Sequence, residues 1–473
     1  MCSCAARTGR TRRWVAAAGF AITTGVGAPG SADAQWTPPN SPAIAGSARA
    51  LLDGFVDEAI RGNLGLAAQR QGALRAEGGV REARGRFLPT VGVNARYSEF
   101  TGVINIGDFI NPAYAALNGL IGSPRFPTNV NATLPFRQET KLELVQPLFV
   151  PALRAASAAA GAQRDIADAT VASTARRVAA DIQLAWLGFA SSERVVETLE
   201  SARAVVDENV RASERLVRAG QATPDVVLRA RAESSDMQQQ LAEAKRQRDA
   251  ARRGFNLLRN RDPETPVALA ADSSLLPPDT LALDALETHA LAHREELQQA
   301  DGGIRLSDAA RRSAATAFLP TVSLAASYGV QGERYRFDRQ SDVGLASLVL
   351  SWNVFNGGQD VARRQQADLT RDQATTRRRE AERMVQTDVR NAFDGVASAR
   401  TATRAAADRL VSAERAFSLV ERRYAEGLTN HVEFLSARSA FTAAALNDVI
   451  TRYTLAARAV ELERAAALRR LPE

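Results

Sequence analysis

The chain has 473 residues, a formal net charge of +7 and two lysines, Lys141 and Lys245. Arginines alternate with acidic residues along its helical segments, which indicates solvated helix faces and excludes a clustered nucleic-acid-binding patch. Cys2 and Cys4 both precede a predicted export signal, so the mature chain is expected to have neither a disulfide nor a thiolate metal site.

The first 34 residues have the pattern of a secretory signal peptide. Four arginines lie between Arg7 and Arg13, an apolar stretch follows from Trp14 to Ala28, and Ala32-Asp33-Ala34 is a small-x-small cleavage signature. We therefore predict a signal peptide at residues 1–34 and an N-terminal linker at residues 35–48.

The rest of the chain is predicted to be a duplication. The pentapeptide FLPTV occurs at residues 87–91 and again at 318–322, and downstream the residues from 178 to 231 match residues 207 positions later. A long period present only twice indicates two fused, equivalent units rather than a solenoid. We predict a first repeat at residues 49–258, a proline-rich connector at 259–282 and a second repeat at 283–473.

Each repeat is predicted to contain a helix, a strand, a loop, a second strand and a long helical hairpin. The strand segments alternate apolar and polar residues, as in Val91, Val93 and Tyr97. The hairpin helices have apolar residues at helical spacing, and residues 152–219 contain no proline, which predicts a coiled-coil helix about 100 Å long. The predicted strands are 87–100 and 137–149 in the first repeat and 318–332 and 341–355 in the second.

Strands of this length suit a membrane barrel, although a soluble two-sheet structure would show the same alternation. An exported chain with no long apolar helix can span a bilayer only as a closed barrel, because unpaired backbone groups in lipid are costly. Four strands cannot close a barrel, so copies of the chain must pool their strands. Two copies would supply eight strands and three would supply twelve. The extra residues of the first repeat fall in a loop at 101–136, rich in Gly, Pro and Asn, which we expect to face the cell exterior.

The two helix-reversal tips are the candidate functional site. Gly220 and Gly427 suit the left-handed position that ends a helix, and Thr223 and Asn430 are predicted to cap the helices that follow. The tips are either capped turns of no further consequence or the far end of a conduit that docks a partner. The candidate docking residues are Gly220, Thr223, Asp225, Gly427, Thr429 and Asn430, and Glu433 is the candidate gate residue.

The order of these features resembles the TolC-type outer-membrane efflux protein family over residues 49 to about 465. The resemblance depends on the FLPTV pair, on Gln146-Pro147-Leu148-Phe149 and residues 352–358 at the strand-to-helix joints, and on the two glycine tips. It implies a mixed α and β membrane protein: a homotrimer whose chains each give four strands to a 12-stranded outer-membrane barrel, continued by a periplasmic α-barrel of long coiled-coil helices.

The resemblance also implies a location and partners. The protein would lie in the outer membrane of a Gram-negative bacterium, contact outer-membrane lipid, and meet a periplasmic adaptor and an inner-membrane pump of the RND or ABC type. It would act as a passive exit duct for efflux or secretion. Many members have acidic residues six and nine positions after the second tip glycine; here these positions are Glu433 and Ser436, so one of the two acids is missing.

Enzymatic activity is not predicted, and neither is a cofactor. His289 and His293 lie four residues apart on a probable helix, but no third ligand is near in sequence and we expect both to be solvated. The alternative to a duct is a secreted coiled-coil spacer of the envelope with no conducting role. That alternative predicts uniformly polar strand surfaces.

Overall fold

The computed structural model describes residues 48–99, 104–131, 133–134, 137–269, 282–332 and 341–471. The predicted signal peptide, the linker up to residue 47 and residues 270–281 of the predicted connector lie outside the described residues.

The described elements keep the predicted order of strands and long helical hairpins in both halves of the chain, but two helices rather than one precede the first strand of each half. They are α1 (Ala48–Gly62), α2 (Leu64–Gly85), β1 (Thr90–Tyr97), β2 (Ile104–Asn105), α3 (Gly107–Ile121), β3 (Thr133–Leu134), β4 (Gln138–Phe149), α4 (Pro151–Arg218), α5 (Pro224–Leu258), α6 (Leu283–His293), α7 (Glu295–Thr316), β5 (Thr321–Gly332), β6 (Asp342–Ser351), α8 (Gln359–Ala425) and α9 (His431–Ala465).

The long hairpin helices have nearly the same lengths in the two halves. Helices α4 and α8 contain 68 and 67 residues, and α5 and α9 contain 35 each. At about 1.5 Å per residue, α4 alone is about 100 Å long. Apolar side chains at helical spacing are buried along its seam, including Val178, Ile182, Val196 and Val206.

The main apolar core lies where the first helices of the chain pack on α4 and α9. Trp186 is fully buried at its centre, and its indole Nε1 donates a hydrogen bond to the carbonyl of Ala268 at 3.0 Å. Phe55 and Phe255 pack edge to face there, with ring centroids 5.1 Å apart. The core therefore ties the start of the connector to the helical bundle.

Two of the contacts between the first half of the chain and the second join α4 to α7. Arg176 on α4 makes a bidentate ion pair with Glu295 at the start of α7, with its shortest N–O distance at 2.6 Å, and both side chains are largely buried. Gly302 on α7 faces Ile166, and a Cβ at this glycine would lie 2.6 Å from the isoleucine side chain. A side chain at residue 302 would therefore push the two helices apart.

Four strands form one antiparallel sheet in the order β1-β4-β5-β6. Strand β4 pairs with β5, so the central pair of strands comes from the two halves of the chain. Within the described residues, no further strand lies beside the outer edges of β1 and β6. The sheet is therefore open at both edges.

The strands join the long helices differently in the two halves. One residue, Val150, separates β4 from α4, and Pro151 is the first residue of the helix. Seven residues separate β6 from α8, and Gly357 and Gly358 there have positive φ angles of 67° and 81°. The second joint has Asn353 where the first has Pro147, and it forms a longer, glycine-dependent turn.

The segment predicted as an irregular loop at residues 101–136 is partly helical. Its described residues form α3 and the short β2–β3 pair. Gly and Asn residues in this segment suggested a loop, but they act instead at the helix ends and in side-chain to backbone hydrogen bonds. Among the helices of the described ranges, none is both long and apolar enough to cross a membrane.

Candidate functional site

One face of the sheet is apolar across all four strands. In the register of the sheet, Val93 is opposite Leu142, Leu142 is opposite Tyr328, and Leu324 is opposite Leu348. Val93 and Leu348 are 70% and 68% exposed in the single chain. Exposed apolar side chains that are contiguous in this way mark an interface with lipid or protein.

The opposite face of the outer strand pair is polar and linked by hydrogen bonds. Asn94 donates to Glu143 at 2.6 Å, Arg96 pairs with Glu139 at 2.8 Å, and Lys141 pairs with Glu139. These side chains alternate with the apolar residues along β1 and β4, as the pleat of a strand requires. Strands β1 and β4 therefore have one lipid-compatible face and one mostly polar face, whereas on β6 the second face also has the exposed apolar residues Leu345 and Val349.

Aromatic side chains lie at both ends of the apolar face. Tyr97 and Tyr328 lie toward one end of the strands, and both are mostly exposed. At the end that leads into the long helices, five aromatic residues are exposed. They are Phe87, Phe149, Phe318, Trp352 and Phe355. Two aromatic girdles with an apolar band between them are typical of outer-membrane barrel strands.

The two tips end their first helices with the same backbone hydrogen bonds. Gly220 has a φ of 70° and Gly427 a φ of 73°. At the first tip, the Gln221 N–H donates to the Leu216 carbonyl at 2.9 Å, and at the second, the Leu428 N–H donates to the Arg423 carbonyl at 2.8 Å. Both tips are Schellman turns, as the left-handed glycines predict.

The helices that follow the tips begin differently. Asn430 caps α9, because its side-chain oxygen accepts from the Glu433 backbone N–H at 2.8 Å, as predicted. The Glu433 carboxylate accepts from the hydroxyl of Thr429. The prediction that Thr223 caps α5 through its side chain is wrong: its hydroxyl donates to the Asp225 carboxylate, and it makes no capping bond.

A cluster of aromatic side chains beneath the second tip was not predicted from the sequence. The Tyr424 ring stacks on Phe434 with centroids 4.8 Å apart, and its hydroxyl lies 3.0 Å from Nδ1 of His431. Phe417 packs on Phe434 and stacks on Phe441. A signal for this cluster is present in the sequence. Aromatic residues are seven positions apart on each helix of the hairpin, at 417 and 424 and at 434 and 441, and seven residues correspond to two helical turns.

Side chains of the two tips lie close to one another. His431 is buried, and burial is the main cause that lowers its pKa; the positive charge of Arg229 lowers it further, and Asp225 opposes this. Further from the tips, the buried guanidinium of Arg438 on α9 pairs with Glu233 on α5. Asp225 and Arg229 of the first tip therefore lie near His431 of the second, and Glu433 is exposed.

No group of three or more His, Cys, Asp or Glu side chains in the described ranges could hold a metal ion. The prediction that both histidines of α6 are solvated is wrong for His289, which is half-buried with Nδ1 2.8 Å from the Ala466 carbonyl. His293 is exposed and stacks on the His289 ring at 4.1 Å. Burial lowers the pKa of His289.

The sequence of the second half matches a known family. Residues 286–468 match the family model described as "Outer membrane efflux protein". A search of curated protein sequences found no match.

Several solved structures share the fold. The Campylobacter jejuni CmeC outer membrane channel is 16% identical with a TM-score of 0.74, covering 88% of this chain and 85% of that one. The Vibrio cholerae outer membrane protein VceC is 17% identical with a TM-score of 0.70, covering 88% and 96%. The open state of the Neisseria gonorrhoeae MtrE outer membrane channel is 20% identical with a TM-score of 0.69, covering 88% of each chain.

These matches confirm the predicted fold class of long helices with a four-stranded barrel contribution, and the resemblance to TolC-type outer-membrane efflux proteins. The family model and the solved structures are described as outer-membrane proteins, which agrees with the predicted outer-membrane location. The matched family is one of efflux proteins rather than enzymes.

Proposed function

We propose that this chain, whose residues 286–468 match the outer membrane efflux proteins and whose fold is that of outer-membrane channels, is the passive exit duct of a tripartite export system. In this proposal three copies assemble, and their twelve strands form one barrel. The long helices extend the duct into the periplasm, where an adaptor and an inner-membrane pump deliver the cargo.

The observation that carries the proposal is the sheet, which is apolar on one face and open at both edges. Backbone groups at an open edge are not tolerated in lipid, so β1 of one copy must pair with β6 of the next. The apolar face then contacts acyl chains, and the polar face with Arg96 and Glu139 lines the water-filled lumen.

The helical hairpins supply the length of the conduit. Helices of about 100 Å exceed what a compact core needs, and the tips lie at the end of α4 and α8 that is remote from the strands. We assign adaptor docking to the surface formed by both tips. Its exposed residues include Gly220, Asp225, Gly427 and Asn430.

Glu433 is proposed to narrow the inner end of the duct. Its side chain is exposed and accepts from Thr429, so the backbone cap and this hydroxyl hold the carboxylate near the tip. In a trimer, three copies would form one acidic ring. Ser436 takes the place of a second acid, so we propose a single ring.

The alternative function is a secreted coiled-coil spacer without a channel. A spacer has no use for a contiguous apolar sheet face bordered by aromatic residues. The sheet therefore favours the duct. Membrane fractionation followed by single-channel recording in planar bilayers separates the two functions. We expect the protein in the outer-membrane fraction and discrete conductance steps; a soluble protein without conductance would contradict the proposal.

Adaptor docking is tested separately from the channel. Gly220→Trp and Gly427→Trp should abolish drug resistance in cells that depend on this duct, while trimers still reach the outer membrane and conduct. Gly427→Asn is the matched control, because asparagine tolerates the left-handed conformation and adds much less bulk than tryptophan. Resistance that survives both tryptophan substitutions would show that the tips are not the docking surface.

A further inference from the structure

Helix α3 belongs to the extra residues of the first half, between strands β1 and β4. It is anchored through its polar side. Asn111 exchanges two hydrogen bonds of 2.8 Å with the backbone of Val130, and Asn118 does the same with Phe126 at 2.7 and 2.9 Å. Tyr114 stacks on Phe126 with ring centroids 5.4 Å apart. Asn111, Tyr114 and Asn118 share one side of the helix, because they are spaced three and then four residues apart.

The close fit at the start of α3 fixes its attachment. A Cβ at Gly107 would lie 1.8 Å from the Val130 carbonyl oxygen, so only glycine fits there. At the other end, Gly122 takes the left-handed conformation that ends the helix, with a φ of 67°. The orientation of α3 relative to residues 124–131 is therefore well defined.

The other side of α3 is apolar and has no partner among the described residues. Phe109 is 74% exposed and Leu120 is 85% exposed, and they are joined on this side by Leu117 and by the small residues Ala113 and Ala116. A helix on a water-soluble protein has the reverse arrangement, with its apolar side against the core. The only charged residue in α3 is Asp108, in its first turn.

We propose that the apolar side of α3 lies on the lipid surface at the outer rim of the barrel, as an interfacial helix. The inference rests on the proposed function, because it requires the sheet to span the bilayer. It adds a second, non-barrel contact with the membrane that the long helices and strands do not supply. Amphipathic helices bind such surfaces by burying their apolar side at the boundary between headgroups and acyl chains.

The attachment points of the segment support lipid as the partner. Leu134 is four positions before Gln138, the first residue of β4, so at about 3.5 Å per step they lie within about 14 Å of each other. That end of the sheet carries Tyr97 and Tyr328, residues of the type that occupies the membrane–water interface. Helix α3 is tethered near this end of the sheet. If the tyrosines lie at the membrane–water interface, the exposed apolar side of α3 therefore lies next to the lipid headgroups.

Nitroxide accessibility tests the inference. Cysteines are introduced into a background lacking Cys2 and Cys4, and the spin-labelled full-length protein is reconstituted into vesicles of phosphatidylethanolamine and phosphatidylglycerol. Leu120→Cys and Phe109→Cys report on the apolar side of α3. Ala115→Cys, an exposed position outside that side, is the matched control, and Leu348→Cys on the sheet is the lipid reference.

At residues 109 and 120, we expect high collision rates with oxygen and a loss of collisions with a water-soluble nickel chelate. The control at residue 115 should keep its nickel collisions. Nickel access at residue 120 would show that the face is in water, and protection from both reagents would show that it packs on protein, such as a second copy; either result overturns the inference. If residue 348 also lacks oxygen collisions, the result contradicts the proposed barrel as well as the role of α3. If residue 348 has oxygen collisions but residues 109 and 120 do not, only the role of α3 is contradicted.

Discussion

Gln146 and Trp352 make the same hydrogen bond from different side chains. The amide of Gln146 donates to the Phe87 carbonyl at 3.0 Å, and the indole of Trp352 donates to the Phe318 carbonyl at 3.2 Å. Each acceptor is the first residue of an FLPTV segment. In both halves of the chain, this bond connects the helix-to-strand turn that contains FLPTV to the end of the strand that leads into the long helix.

Replacing Trp352 tests how much that bond contributes. Trp352→Phe keeps an aromatic ring but removes the donor, and we expect it to destabilise the trimer by about 1 kcal/mol. Trp352→Gln restores the donor used by the other half and should recover part of the loss. Thermal dissociation of the trimer on gels gives the order of stability. If the phenylalanine variant is the more stable of the two, contact of the ring with lipid outweighs the bond.

A charge on the apolar face of the sheet should prevent stable insertion. Leu348→Arg places a guanidinium among lipid chains, at an expected cost of about 2–4 kcal/mol near the middle of the bilayer. Ser347→Arg, one residue earlier, points to the opposite face, which we propose faces the lumen, and should be tolerated. The measurement is the amount of heat-modifiable trimer in the outer membrane. Equal losses in both variants would contradict the assignment of the two faces.

Glu433 should set the ion preference of the channel. Glu433→Gln removes the acidic ring but keeps the backbone N–H that Asn430 caps, so stability should change by less than about 1 kcal/mol. Reversal potentials in a salt gradient should shift toward lower cation preference. Glu426→Gln, another exposed acid on the same turn, is the control and should shift less. An unchanged reversal potential removes Glu433 from the gate.

The left-handed glycine of the second tip should be required for its local stability. No atom lies within 4 Å of a Cβ added at Gly427, so Gly427→Ala meets no clash and only backbone strain, about 1–2 kcal/mol. Gly427→Asn should cost less, because asparagine adopts this conformation more readily. Hydrogen exchange of residues 421–433 measures the loss. Similar hydrogen-exchange protection in the native protein and in Gly427→Ala would contradict the predicted loss of stability.

Acidification should loosen the second tip through His431. Burial lowers its pKa, so below about pH 6.5 the opened tip binds a proton that the closed tip excludes. The stability of the tip is therefore complete above that pH and falls as the pH decreases toward the lowered pKa. Hydrogen exchange at the tip, corrected for intrinsic rates, should lose protection with acid in the native protein and much less in His431→Gln. Equal pH dependence in the native protein and in His431→Gln would show that His431 does not cause the loss of protection in acid.

The sequence predicted the parts of the fold that depend on repeated patterns. The seam of α4, with Ile182 and Val206 buried as expected, follows from helical spacing over many turns. The alternation of β1 and β4 predicted their two faces, and the tip glycines predicted both Schellman turns. The helix seam and the strand faces are predictable because their residue pattern repeats many times. The turns are predictable because glycine is the residue that most readily adopts the left-handed conformation.

Features that depend on single contacts were not predictable. Thr223 has the residue type and position of a helix cap, yet its hydroxyl is taken by Asp225 two residues later. The burial of His431 depends on Tyr424 and Phe434, which approach it only after the turn has formed. The sequence predicts a loop at helix α3 because asparagines are typical of turns, whereas in the structure these asparagines bind the backbone of the segment that follows the helix.

The open edges of the sheet also determine how the protein can mature. Within the described residues nothing covers the outer edges of β1 and β6 or the apolar residues between them, so in the proposed assembly the sheet gains most of its stability only when other copies arrive. Folding and assembly are then a single, concentration-dependent event. We expect dilute, unassembled chains to need a holding chaperone in the periplasm, because exposed strand edges otherwise aggregate.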